Sequence, residues 1–319
     1  MGTGEDAPSP PPGAPVTELL LALWPLFALI VGGYVLSRRG FPNEAFWPGA
    51  ERLNYFILFP ALLFNSLATA PLDNPQLPRM ALAVLLGLGI AWLALLVMRR
   101  LRGWPAARFG AFSQGILRFN TYLGLAAVGS LFGQPGLTLA ALMLALMVPT
   151  VNVLSVWSLT AERGVSARSL LLPIIRNPLI LACLAGALVN LSGLGLPGGS
   201  GRLLSLLAAA SLPLGLLCVG AALKPEQLGG EVPALAWNSL LRLLLMPVLA
   251  LAVAYGLQLP TMESTVLVLF FALPTAPTAY VLTRQLGGDA NLMAGIITLQ
   301  HLLAAASLVA VLAVLEHLL

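Results

Sequence analysis

Three short stretches of this 319-residue sequence set polar or ionisable side chains inside long apolar runs: Arg118-Phe119-Asn120-Thr121-Tyr122-Leu123-Gly124, Leu273-Pro274-Thr275-Ala276-Pro277-Thr278 and Gln300-His301. An arginine in hydrocarbon is costly unless it is paired or wet. Arg118 therefore reads either as the counter-charge for an organic anion or as a structural guanidinium bonded to backbone carbonyls, and both readings stay open. Pro274 and Pro277 remove backbone donors and do not fit an unbroken helix. Unpaired backbone at that depth is tolerated only inside protein or beside water, which makes the segment either a wet break or a kink packed by its neighbours. Asn120 and Gly124 disrupt a helix more weakly, by competing for backbone bonds and by loosening the turn. A histidine can carry a proton at physiological pH, so Gln300 and His301 are candidates for proton coupling, against the plainer reading of a satisfied packing residue. Arg242 invites the same argument as Arg118, but is expected nearer the cytoplasmic edge in a structural role. Glu51, Arg52 and Glu263 are expected at the membrane interface. Asn54, Asn65, Asn152 and Asn190 are expected as interhelical hydrogen-bonding residues. No metal-spaced His/Cys cluster, phosphate-binding glycine loop or nucleophile elbow occurs, and two histidines leave little acid-base chemistry to build. Neither an enzyme nor a cofactor is expected.

The elements that position these groups follow from composition. The chain is 59% apolar and 9% charged, where a soluble domain carries about a quarter charged residues. This excludes a soluble globular protein, a disordered chain and a collagen-like repeat. Only Cys183 and Cys218 occur, both in apolar runs, so there is no disulfide scaffold and the two read as buried thiols. A crossing needs about 20 apolar residues at about 1.5 Å rise. The 43 uncharged residues between Arg118 and Glu162 are too many for one crossing and must form a hairpin, turning at Leu131-Phe132-Gly133-Gln134-Pro135-Gly136. Ten spans are expected, near 16–37, 48–69, 79–99, 107–132, 136–160, 170–192, 202–223, 232–258, 261–285 and 290–315. Pro274 then lies on the order of 18 Å below the outer face, close to the bilayer centre, with Arg118 near the same depth.

Basic residues follow alternate connections. Arg38, Arg39, Arg99, Arg100, Arg102, Arg163, Arg168, Lys224 and Arg284 follow odd-numbered spans, against Arg79 and Arg202 after even-numbered ones. The positive-inside rule makes the odd connections cytoplasmic and sends both termini outward. Because the net charge of +4 is spread in this way, it does not point to nucleic acid. Residues 1–15 read as a disordered tail. They resemble neither a signal-peptide n-region nor a myristoylation site, since Asp6 stands where Ser or Thr is needed.

The chain also repeats itself. Trp24-Pro25-Leu26 with Gly33 matches Asn177-Pro178-Leu179 with Gly186, and Phe59-Pro60-Ala61 matches Leu212-Pro213-Leu214, both at an offset of 153 positions. Phe132-Gly133-Gln134-Pro135-Gly136-Leu137 matches Gly287-Gly288-Asp289-Ala290-Asn291-Leu292 at 155, an offset that also pairs Asn120 with Thr275. Five spans per copy is an odd number, so the second copy enters the membrane inverted. The expected fold is an all-α membrane protein of ten helices in two inverted five-helix repeats, 16–160 and 170–319, with broken helices four and nine crossing at the midplane.

Leu53-Asn54-Tyr55-Phe56-Ile57-Leu58-Phe59-Pro60-Ala61-Leu62-Leu63-Phe64, Arg176-Asn177-Pro178, Arg242 with Pro247, and Ala272-Leu273-Pro274-Thr275-Ala276-Pro277 resemble the auxin efflux carrier family, as a bacterial-type member similar to the plant PIN-type carriers. The resemblance spans about residues 17 to 316. It implies a scaffold domain from helices 1, 2, 6 and 7, a transport domain from helices 3–5 and 8–10, and an elevator motion. It also implies substrate held where helices four and nine cross, which carries over to Asn120 and to Pro274 through Pro277. One departure is that Ala126 and Ala127 stand where many members have a proline after the helix-four glycine. Only about 161–169 connects spans five and six, too short for a long regulatory loop.

The expected function is a secondary carrier of small organic anions, auxin-like acids or small carboxylates, in the cell (inner) membrane, working outward or by proton-linked exchange. Its expected substrate residues are Arg118, Asn120, Thr121, Gly124, Pro274, Thr275, Pro277 and Thr278. A constantly wet pore and a non-transporting membrane sensor are the alternatives. Expected partners are the anion, the lipid bilayer and coupling protons. Oligomeric state stays open, with a homodimer among the options.

Overall fold

The computed structural model describes residues 16–43, 45–69, 76–160, 162, 175–193 and 195–318. The N-terminal tail, the connection 161–169 apart from Glu162, and the start of the second repeat at 170 lie outside these. Among the described residues, regular structure is entirely helical. Helix α1 is Val16–Arg38. The second span is α2 (Phe46–Leu53), a π-helical turn Asn54–Leu58 and α3 (Phe59–Ala68). Next come α4 (Leu77–Arg102), α5 (Ala106–Leu117) and α6 (Thr121–Thr160). The second half begins with α7 (Pro178–Ser192) and α8 (Ser200–Ala221), then α9 (Val232–Leu240), a π-helical turn Leu241–Leu245 and α10 (Met246–Gly256). It closes with α11 (Thr261–Ala272), α12 (Thr278–Gln285) and α13 (Ala290–Leu318).

Local sequence explains these boundaries. Each π turn ends two residues before a proline, Pro60 or Pro247, whose ring would collide with the carbonyl four residues back. The wider turn makes room for that carbonyl. Within α6 the chain turns at Gly133, whose φ of 58° and ψ of −144° suit only glycine, in the expected hairpin. Asn177 starts α7 by accepting hydrogen bonds from the backbone N–H of Leu179 (2.9 Å) and Ile180 (3.4 Å).

Six helical stretches are long and apolar enough to cross a bilayer, and α7 and α11 are shorter apolar helices. The chain is thus a multi-pass membrane protein. Fewer stretches meet that length than the ten expected spans for local reasons. The second span carries Glu51, Arg52, Asn54 and Asn65 and is less apolar, the ninth stops at Ala272, the sixth is described only from its C-terminal part, and α5 and α6 run together as one long stretch.

Helix α1 packs along α8, and α3 packs on α7 and α8. At the first pair the backbones touch: a Cβ at Gly33 would overlap the Leu217 carbonyl, and one at Gly220 the Ile30 carbonyl. Elsewhere α5 packs on α6 and α13, and α10 on α11 and α4. Residues 109–117 of α5 and 263–272 of α11 are buried throughout, so these two short helices lie inside the bundle rather than against lipid.

Candidate functional site

The two interior helices end alike. Helix α5 stops at Leu117, where Arg118 turns extended (φ −75°, ψ 151°), and the chain becomes helical again at Thr121. Helix α11 stops at Ala272, where Leu273 turns extended (φ −64°, ψ 145°), and helix resumes at Thr278. The non-helical segments meet: the Asn120 backbone N–H donates to the Pro274 carbonyl at 2.7 Å. Thr275 adds its hydroxyl to the Gly115 carbonyl at 2.7 Å and its N–H to Oε1 of Gln300 at 2.7 Å. Gln300 in turn donates to the Gly115 carbonyl (2.9 Å) and to Oδ1 of Asn238 (3.0 Å).

Arg242 completes this cluster. It comes from the π turn Leu241–Leu245 and is 1% exposed. Its three nitrogens reach the carbonyls of Leu273 (2.6 Å), Ile116 (2.6 Å) and Phe270 (2.9 Å). One guanidinium therefore binds the C-terminal carbonyls of both α5 and α11, where unpaired acceptors and the helix dipoles favour positive charge. The expected place near the cytoplasmic edge is corrected. Because the π turn widens the helix before Pro247, Arg242 points inward to both breaks.

On the other side of the breaks lies a cavity of about 520 Å³. Arg118, Asn120, Thr121, Pro277 and Thr278 line it. Arg118 is partly buried and donates to Oδ1 of Asn152 (3.0 Å) and the Thr278 hydroxyl (3.2 Å), both neutral. Among the described residues no carboxylate lies within ion-pair distance of it. Gly124, Pro274, Thr275, Gln300 and His301 do not line the cavity. A Cβ at Gly124 would stand 2.6 Å from the Leu273 side chain, so its role is close packing of α6 on the second break. Thr275, Gln300 and His301 are buried in the hydrogen-bond cluster behind it. His301 shares a 2.9 Å hydrogen bond between its Nε2 and Nδ2 of Asn120.

The opposite wall holds residues that the linear reading put elsewhere. Glu51 and Arg52, expected at the interface, line the cavity with Tyr55, Phe56 and Phe59 of the same span. Asn177 and Cys218 also line it. Proline-linked widening of a helix is readable from Pro60, but which face the π turn presents is not. Asn54 and Asn190 make interhelical bonds, to Ser211 and to the Leu67 carbonyl (2.9 Å).

Residues 163–312 match the model of a family described as membrane transport protein. A protein of Methanothermobacter thermautotrophicus called an uncharacterized transporter is 27% identical over 301 residues, covering 92% of this chain and 96% of that relative.

Proposed function

We propose, from the likeness of residues 163–312 to a membrane transport family and of the chain to an uncharacterized transporter, that this is a secondary carrier for small organic anions. The observation that carries this reading is Arg118: a cavity-lining guanidinium whose partners among the described residues are an amide oxygen and a hydroxyl. Its charge is left for a ligand to neutralise. Three helix starts add to the positive potential, since Thr121 opens α6, Asn177 caps α7, Thr278 opens α12, and all three line the cavity. Counting Arg52 and Glu51 with Arg118, the wall carries one net positive charge and suits a monoanion. Phe56, Phe59 and Tyr122 offer an apolar surface for the body of such an acid. An auxin-like aromatic carboxylate fits that wall better than a small dicarboxylate.

The inverted-repeat architecture with crossing broken helices belongs to the same reading. It is supported by two 12-residue helices, α5 and α11, that begin and end at a common offset of 155. It is also supported by the Gly33 contact with Leu217, which maps at an offset of 153 onto the contact of Gly186 with Phe64. The packing of α1, α3, α7 and α8 on one another supports a scaffold against which the other helices move as an elevator. Ion pairs Arg38–Glu226, Arg99–Glu162 and Arg108–Glu231 join connections of odd number, which supports their lying on one side. The charge rule makes that side cytoplasmic and puts both termini outside an inner membrane.

Counterflow tests the function. Protein reconstituted in liposomes preloaded with unlabelled indole-3-acetate is expected to accumulate the labelled acid transiently and saturably. Single-channel currents with no saturable exchange would mean a pore, and binding without flux would mean a sensor.

A further inference from the structure

His301 sits in a hydrogen-bond chain whose polarity is fully determined. Its Nδ1 lies 2.7 Å from the Ile297 carbonyl one turn back, an atom that can only accept. Nδ1 therefore carries the hydrogen. Its Nε2 lies 2.9 Å from Nδ2 of Asn120. The Asn120 amide cannot be turned round at no cost, because Oδ1 accepts the Leu123 N–H at 3.2 Å as the cap of α6. Nδ2 is then the donor and Nε2 a lone-pair acceptor, so the imidazole in this arrangement is neutral.

A proton on Nε2 would face two donors at each other across that contact. The Asn120 amide must leave His301, and Asn120 already borders the cavity that we assign to the anion. An anion accepting from Nδ2 of Asn120 relieves the conflict and offsets the new charge. Without one, the new charge is buried, with His301 only 4% exposed, and is costly. Of the charged groups on the elements packed against α13, Arg242 is bonded to three carbonyls and Arg108 of α5 is paired with Glu231. Arg38 of α1 is paired with Glu226, Glu263 lies in the first turn of α11 and Arg284 in the last turn of α12. Among titratable groups, Tyr280 of α12 is bonded to Lys224. None of these side chains is hydrogen-bonded to His301.

We propose that His301 is the coupling site of this carrier: a proton taken up on Nε2 enters with the anion and leaves with it, through the Asn120 amide they share. The inference rests on the organic-anion reading of the cavity. By linkage, whatever factor a proton adds to anion affinity the anion adds to proton affinity.

The test uses the full chain in lipid nanodiscs with indole-3-acetate as probe, from about pH 6 to about pH 8.5, where a carboxylic acid stays ionised. Affinity is expected to fall as pH rises, by up to about tenfold per pH unit where coupling is complete. Calorimetry in two buffers of different ionisation enthalpy is expected to find proton uptake approaching one per anion. His301→Gln keeps an acceptor for Asn120 and cannot titrate, and its affinity is expected to be flat across this range. Binding to the native protein with a flat pH profile and no proton uptake overturns the coupling while leaving the anion carrier standing. A native pH slope retained in folded His301→Gln also overturns it. No binding of indole-3-acetate or malonate by the native protein at any pH refutes the anion carrier and the coupling with it. The calorimetric proton count needs no variant, so misfolding of His301→Gln does not rescue the idea.

Discussion

Removing the Arg242 guanidinium should cost more than any other single polar change in the bundle. Its hydrogen bonds at 2.6, 2.6 and 2.9 Å go to carbonyls that close two different helices, and the side chain is 1% exposed. A hydrogen bond to a charged group contributes about 1.5–3 kcal/mol, so three would sum to roughly 5–9 kcal/mol if independent. Two offsets reduce this figure. The variant no longer buries a charge, and the freed carbonyls turn toward neighbouring donors or water, which brings the expectation to about 3–5 kcal/mol, the cost of breaking a buried ionic arrangement. Arg242→Met fills similar volume and isolates the polar loss. Arg242→Lys keeps the charge but, from a single nitrogen, cannot reach three carbonyls set by a planar fork, and should recover only part of the difference. Thermal unfolding in one detergent at one scan rate would rank native protein above Arg242→Lys above Arg242→Met. If Arg242→Met unfolds within about 0.5 kcal/mol of the native protein, the guanidinium does not hold the two helix ends together and the reasoning fails.

Further outcomes are expected. Cysteines introduced at Thr3 and Leu319, in a chain with Cys183 and Cys218 replaced, should react with impermeant reagent only from outside; labelling only from the cytoplasmic side would reverse the topology. Gly220→Leu should lower stability or yield by forcing α1 off α8, whereas Gly229→Leu, which meets nothing nearby, should not. The Arg108 guanidinium holds the Glu231 carboxyl below the usual carboxylate range by hydrogen bonding to it. Its contribution to stability is therefore present above the ordinary glutamate value and is lost as pH falls through the depressed one. Glu231→Gln should flatten that acid limb of a stability profile, and an unchanged limb would remove the pair from the account.

What the sequence disclosed follows the strength of each local signal. Apolar runs between charges placed helices such as α4 and α13 to within a few residues, because a bilayer sets both length and composition. Pro274 and Pro277 marked the end of α11 from chemistry alone. The end of α5 carries no proline, and Asn120 stands out there through its weaker helix-disrupting chemistry, the repeat offset to Thr275 and the family resemblance. Other features were beyond a linear reading. Arg242 shows nothing in its own neighbourhood of the three carbonyls it meets, which lie 28 to 126 positions away. Glu51 and Arg52 look interfacial because charge at a span end usually is, and only the packed bundle shows that they line a cavity. Gly124 looked like a substrate contact because it follows Asn120 in one motif. It is instead the space into which Leu273 and Phe270 fit.

The central claim is that the cavity recognises an anion through Arg118 and Asn120. The direct measurement is equilibrium binding of indole-3-acetate and its neutral amide to native protein, Arg118→Gln and Asn120→Ala at one pH, with monodispersity checked alongside. Loss of a buried hydrogen bond of about 1–3 kcal/mol predicts roughly five- to 150-fold weaker acid binding in Asn120→Ala. Arg118→Gln should lose at least as much and also its preference for the acid over the amide. Unchanged acid affinity in both folded variants would contradict the account.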